Sequence, residues 1–346
     1  AKLDSSGTQE FFNTAGGPGY DSPLFGTGGI TLDSSGNVYV AGSIDGTTGI
    51  RDFAGNSITG NGGNDVFIAK LDSSGTQVFF RNAGGARYEN VSAILVDSHD
   101  NVLTAGTIDG NATDFAGNSI TGNGGNDVFI AKLDSSGTQI FFENAGGIGY
   151  DSFGAMTLDS SGDVYLTGTI DGTTGIRDFA SNSITGNGGN DVVIAKLDSS
   201  GTQEFFNTAG GPGYDSPLFG AGGIALDNGD NVYVAGTFEG TADFDPGMDV
   251  ANLVSAGSAD VFLLQLTQAA PAAEVEFTSA TYADGEGGGT STVVTLQRTD
   301  DTAVSEVLVS ITGGTALGGN VDFDDGSFPL TVAFNATELT KNVLVP

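Results

Sequence analysis

Apolar residues come in short bursts along this chain, and small polar residues separate them at near-constant intervals. "DVFIAKL" (Asp65–Leu71) is a mostly apolar run, too short for a helix and right for a strand covered on both faces. "SSG" follows as a turn, and "TQVFF" as a returning strand. After a glycine-rich connection, "SAILV" and "NVLTAGTI" make a second hairpin across "DSHD". Asp, Ser, Asn and Gly at these joints supply side-chain-to-backbone bonds and positive φ where tight turns need them. No segment carries a convincing amphipathic helical period. The pattern predicts an all-β chain.

The pattern repeats. Copies of "AKLDSSGTQ" start at Ala1, Ala69, Ala131 and Ala195, each followed by a phenylalanine pair. "ITLDSSGNVYVAGSIDG" (Ile30–Gly46) returns in three variants. Residues 1–30 and 195–224 differ only at Thr27 and Ala221, the mark of duplication. Four strands per unit, in tandem and apolar on both faces, predict a β-propeller in which each four-stranded blade buries its faces on its neighbours. A parallel β-helix needs a much shorter coil, and a sandwich gives no reason for near-copies. On this reading "GNGGNDVFIAKLDSSGTQ" (Gly60–Gln77) is a joint between blades. The strand "DVFIAKL" occurs five times if Ala1–Leu3 and "DVFLLQL" (Asp260–Leu266) are counted, and the other three strands occur four times. Two arrangements fit: a tight four-bladed ring, or a piece of a longer polypeptide with more blades upstream.

The motifs "GGNDVFIAKLDSSGTQVFF", "AGG" and "DNVLTAGTIDG" resemble the SBBP-type bacterial β-propeller repeat over residues 1–268. "DFDPGMDVANLVSAGSADVFLLQL" (Asp243–Leu266) resembles a variant of its last segment. The resemblance implies a secreted or surface-displayed bacterial protein and no single activity. Residues 269–273 ("AAPAA") lie outside the repeat and read as a linker. From 274 to 346 the pattern is antiparallel strands, as in a sandwich. Tyr282 with Glu286, "GTALGGNVDF" (Gly314–Phe323) and the strand ending "NVLVP" resemble a Calx-β domain. That family implies an immunoglobulin-like sandwich, common in extracellular adhesion proteins and Ca²⁺-binding in some members. Carried over by motif, Glu286 and Asp322 fall at calcium-ligand positions, and Asp324 and Asp325 lie beside them. This sequence has one extra residue between Gly314 and Asp322. It also stops at Pro346, before the family's acidic pair and later strands, so the expected domain is partial and its Ca²⁺ site half-built. Its truncated sheet would leave an edge to be paired by downstream sequence or another subunit.

Charge narrows the partners. The formal net charge is −33, from 43 acidic and 10 basic residues, so phosphate-bearing nucleic acid would be repelled. No apolar run is long enough to span a membrane as a helix. The absence of cysteine is compatible with secretion at this size. The acidic excess serves solubility, and carboxylates in loops are also candidate ligands for Ca²⁺, a hard cation that takes oxygen donors. "DGTTGIRDF" and "DGNATDF" place two such residues per repeat: Asp45 and Asp52, Asp109 and Asp114, Asp171 and Asp178. "GNGGNDVF" resembles a calcium nonapeptide, but Asn61 stands at a required glycine and there is no nine-residue recurrence. His99, the one histidine, reads as a turn residue, and the repeated Lys2, Lys70, Lys132 and Lys196 as stems packed in a sheet with each ammonium near an aspartate. Paired carboxylates can serve glycosidases. Here they are copied from repeat to repeat, whereas an active site is unique, so no catalytic residue is expected. The predicted function is a non-catalytic, extracellular or cell-surface repeat protein for adhesion, matrix or filament structure. Its partners would be its own copies or other surface proteins. The alternative is a Ca²⁺-dependent glycan-binding module.

Overall fold

A computed structural model describes residues 1–23, 29–47, 49–173, 175–218, 223–245 and 250–267, together with five strands farther on. The chain divides into two compact units, Ala1–Gln268 and Ala269–Pro346. Among the described residues there is no helix, and the first unit is a series of small antiparallel sheets.

Four of these sheets follow one another along the chain. In the second, Asn90–Val96, Val102–Asp109, Asn126–Leu133 and Gln139–Ala145 pair in that order. The third repeats it with Ser152–Leu158, Val164–Asp171, Asn190–Leu197 and Gln203–Ala209. In the first, Val38–Asp45, Asn64–Leu71 and Gln77–Gly85 are the last three strands, with Ile30–Leu32 on the outer side. The fourth holds Ile224–Leu226, Val232–Asp243 and Asn252–Leu266, with Ser216–Pro217 also on Val232–Asp243, and among the described residues no further strand pairs with Asn252–Leu266. A two-stranded half-sheet, Lys2–Leu3 with Gln9–Phe11, precedes them all. No closed propeller or barrel is formed among the described residues.

The four-stranded unit is confirmed, but its phase differs from the repeat as read in sequence. Asp45 lies opposite Asn64, Asp109 opposite Asn126 and Asp171 opposite Asn190. "GNGGNDVFIAKLDSSGTQ" is therefore inside a sheet, not a joint between two. The long loop before it leaves the sheet, forms a small hairpin such as Ile50–Arg51 with Ser57–Ile58, and returns to pair with the strand it left. The crossing to the next sheet is instead the short stretch around Gly84–Tyr88, Gly146–Tyr150 and Gly210–Tyr214. Loop length does not distinguish the two, because an excursion can be longer than a crossing.

The second and third sheets each have one face toward the sheet before and one toward the sheet after. Alternation along a strand sends Val66 and Ile68 forward, and Phe67, Ala69 and Leu71 backward. The apolar clusters follow these faces. Tyr39, Val66, Ile68 and Phe79 of the first sheet meet Val91, Val102, Phe129 and Leu133 of the second. Ile130 and Phe141 of the second meet Leu166, Val193 and Leu197 of the third, and Val192 and Ile194 of the third meet Val232, Val234 and Phe262 of the fourth. Each such side chain contributes about 1.5–3 kcal/mol by leaving water, which is why these strands are apolar on both sides.

In the second unit, Val275–Phe277, Thr292–Arg298 and Thr340–Val345 form one antiparallel sheet, and Ser305–Val309 pairs with Leu330–Phe334. Glu286, Asp322, Asp324 and Asp325 lie outside the described residues.

Candidate functional site

Most aspartates of the repeats build turns. Asp72 Oδ1 accepts the amides of Ser74 and Thr76 and the Ser74 hydroxyl, and Asp4, Asp134 and Asp198 do the same. Asp33 and Asp97 close the other hairpin turn by accepting the amide and the side-chain amide of Asn37 and Asn101. An aspartate two to four residues before the amides it holds is the Asx device expected of such turns.

Two of the three loop aspartate pairs singled out by sequence are used in this way throughout. Asp52, Asp114 and Asp178 are buried. Each accepts from Asn56, Asn118 or Asn182 and from Gln77, Gln139 or Gln203. Burial opposes the charge of Asp52 and Asp114, but these donors outweigh it and hold both carboxyls below the usual range. Asp45 and Asp171 accept the amide and hydroxyl of Thr47 and Thr173, and Asp109 pairs with Arg87 at 2.9 Å. Asp45 and Asp52 thus sit in separate hydrogen-bond systems, as do their counterparts. Among the described residues no three Asp, Glu or His side chains gather as a metal-binding group.

Lys2, Lys70 and Lys132 join successive sheets. Lys70 pairs with Asp33 at 3.2 Å and donates to the Ser135 carbonyl in the next sheet, while Lys132 pairs with Asp97 at 2.9 Å and donates to the Ser199 carbonyl. Lys2 makes the same reach, to the Ser73 carbonyl. Lys196 meets Asp163 at 3.1 Å and Glu204 at 2.7 Å. Burial works against its charge, but the bonds to Glu204 and Asp163 prevail and push its pKa upward. Beside each lysine link, a phenylalanine ring lies on the glycine of the next sheet's turn: Phe11 on Gly75, Phe79 on Gly137 and Phe141 on Gly201, where a Cβ would strike the ring.

A second set of carboxyls was not singled out in the sequence. At each crossing two of them face each other across a glycine: Asp65 and Glu89 at Gly84, Asp127 and Asp151 at Gly146, Asp191 and Asp215 at Gly210. All six are essentially fully buried. Asp151 Oδ2 accepts the Gly147 amide and its Oδ1 the Asp171 amide, so this residue ties the crossing to the next sheet. Asp65 Oδ1, Glu89 Oε1, Asp127 Oδ1 and Asp191 Oδ1 have no partner. Burial, with repulsion from the facing carboxyl, pushes Glu89, Asp127 and Asp191 up to about 7. Burial raises Asp151 to about 6. These groups are poised to hold a proton near neutral pH.

The residue before the second carboxyl of each crossing is an exposed tyrosine: Tyr20, Tyr88, Tyr150 and Tyr214. Backbone bridges hold Tyr88, Tyr150 and Tyr214 to Asn64, Asn126 and Asn190. The signal was present in sequence as "GPGYD", "GARYE", "GIGYD" and "GPGYD". Nothing in one dimension says that those rings face water. His99 is in a turn, where Asp97 receives its amide. One apolar gap, lined by Val128, Leu166, Ile170, Phe179 and Phe206, has a volume of about 10 Å³, too small for a ligand.

No protein-family model matches the chain, and no curated protein matches it.

Proposed function

We propose that this chain is a non-catalytic, extracellular or cell-surface repeat protein that serves adhesion, matrix or filament structure. Its SBBP-like repeats would act as a propeller-type scaffold, followed by a Calx-β-like unit. The observation that carries this reading is where the chemistry goes. Among the described residues, the charged side chains of the repeats are spent on turns, on lysine links between sheets and on buried carboxyl pairs, each copied from repeat to repeat. A catalytic site needs a unique, accessible constellation. Electron microscopy of the secreted material and a binding assay on matrix-coated surfaces test the reading. Regular polymers or retention on the matrix are expected, and a soluble monomer with hydrolase activity would overturn it.

A second reading, a Ca²⁺-dependent glycan-binding module, draws on the exposed tyrosines. Four rings at equivalent positions, each beside an acidic residue on a rigid crossing, suit the faces of sugar rings in an extended glycan. A glycan array with and without chelator separates the two readings. Binding that Tyr88→Ala and Tyr150→Ala each weaken would favour this one.

A further inference from the structure

The carboxyl pairs of the second and third crossings lack a counter-charge. Asp127, Asp151, Asp191 and Asp215 are each 0% exposed. Oδ2 of Asp127 accepts the Asn123 amide, and Oδ2 of Asp191 the Asn187 amide. Oδ1 of each has no partner, and it points at the glycine of the crossing, where the facing carboxyl also points. A Cβ on Gly210 would lie 2.5 Å from Asp191 Oδ1 and 2.8 Å from Asp215 Oδ2, and one on Gly146 would strike Asp127 Oδ1 and Asp151 Oδ2 in the same way. Asp171 adds a further charge that acts on both Asp151 and Asp191. Among the described residues no ion pair reaches any of these five carboxyls. Buried charges in proteins are otherwise paired or bound to metal.

The first crossing differs in a telling way. Arg87 stands there where the other two have Gly149 and Gly213, and its guanidinium meets Asp109, the counterpart of Asp171, at 2.9 Å. The chain brings a cation of its own to that crossing and none to the other two. We propose that the crossings at Gly146 and Gly210 each bind a Ca²⁺ ion, one between Asp127 Oδ1 and Asp151 Oδ2, the other between Asp191 Oδ1 and Asp215 Oδ2. A carboxylate oxygen has two lone pairs, so the amide that Asp151 Oδ2 takes from Gly147, and Asp215 Oδ2 from Gly211, leaves one pair for a cation. Glycine leaves the space between the facing oxygens clear of a side chain. An all-oxygen set selects a hard cation, and Ca²⁺ accepts irregular geometry that Mg²⁺ does not. Zinc would call for His or Cys, and this chain has one histidine, in a turn, and no cysteine. Two carboxylates, with backbone carbonyls and water completing the shell, put the dissociation constant at about 10⁻⁴–10⁻³ M, as in other extracellular modules. The ion would clamp each crossing in place, which suits a scaffold and a glycan-binding module alike.

Thermal melts of the full chain at about pH 8, in chelator and in about 10 mM Ca²⁺, test this together with flow dialysis of Ca²⁺. Ca²⁺ should raise the parent's melting temperature by about 5 °C or more. Asp127→Asn and Asp191→Asn should each lose part of that rise and bind one ion fewer. The double variant should lose the rise and bind two fewer, a difference that ions held elsewhere in the chain do not disturb. Asn keeps the size of Asp without its charge, and the melt in chelator shows whether a variant folds. Should one not fold, Asp151→Asn or Asp215→Asn on the facing side takes its place. Equal Ca²⁺ binding by the parent and the double variant, or binding by neither, would overturn the proposal and leave these pairs with a proton only. The scaffold reading would still stand, because it needs no bound ion.

Discussion

The second and fourth sheets carry nearly the same third strand and treat it differently. In "DVFIAKL" of the second sheet, Val128, Ile130 and Lys132 are buried beneath the third sheet. In "DVFLLQL" of the fourth, Val261, Leu263 and Gln265 face outward. Burial here belongs to the neighbour more than to the strand. The strand supplies an apolar face, and stability comes only when another sheet takes it up.

This contrast can be broken at several strengths. Lys132→Ala leaves Asp97 buried without its cation and should destabilise the chain by about 3–5 kcal/mol. Gln265→Ala at the equivalent site should stay within about 0.5 kcal/mol. Urea denaturation of the two variants measures both. Ile130→Ala removes a fully buried side chain and should cost about 2–4 kcal/mol, while Leu263→Ala should be nearly neutral in the monomer. If the two proved equal, the last sheet would have a cover of its own.

The carboxyl pairs at the crossings add a pH dependence. Asp127 and Asp191 hold a proton to about pH 7 in the folded chain and to about pH 4 when unfolded. Between those values the folded state binds more protons. The contribution is fully present below about pH 4 and is lost as pH rises through 7. Acidification from pH 8 to pH 5 should therefore raise the melting temperature. Asp127→Asn should flatten that rise and stabilise the chain by about 1 kcal/mol at pH 8, after allowance for solvent screening. Thermal melts across this range decide it. Tyr88→Ala should shift stability least, within about 0.5 kcal/mol, because its ring is in water.

Strands and turns were legible because they follow from local rules: apolar runs between Asp-Ser-Ser-Gly joints. The lysine-to-aspartate pairing was legible too, since a buried ammonium needs a counter-charge. The phase of the sheets was not. Both glycine-rich connections can turn the chain, and only the pairing of Asp109 with Asn126 reveals which one stays at home. The facing carboxyls were hidden for a related reason. Asp127 and Asp151 lie 24 positions apart in sequence, and only the crossing brings them together. The loop aspartates, by contrast, stand in pairs along the chain and so are visible in sequence.

Every complete sheet borrows half its strands from one copy of the sequence repeat and half from the next. A duplication that begins and ends at equivalent points of the repeat therefore adds one whole sheet and leaves no edge newly bare. The near-identity of residues 1–30 and 195–224 shows that such copying has occurred in this chain. Wherever in the repeat the copying starts, a whole period carries four strands, so the array would lengthen by complete sheets.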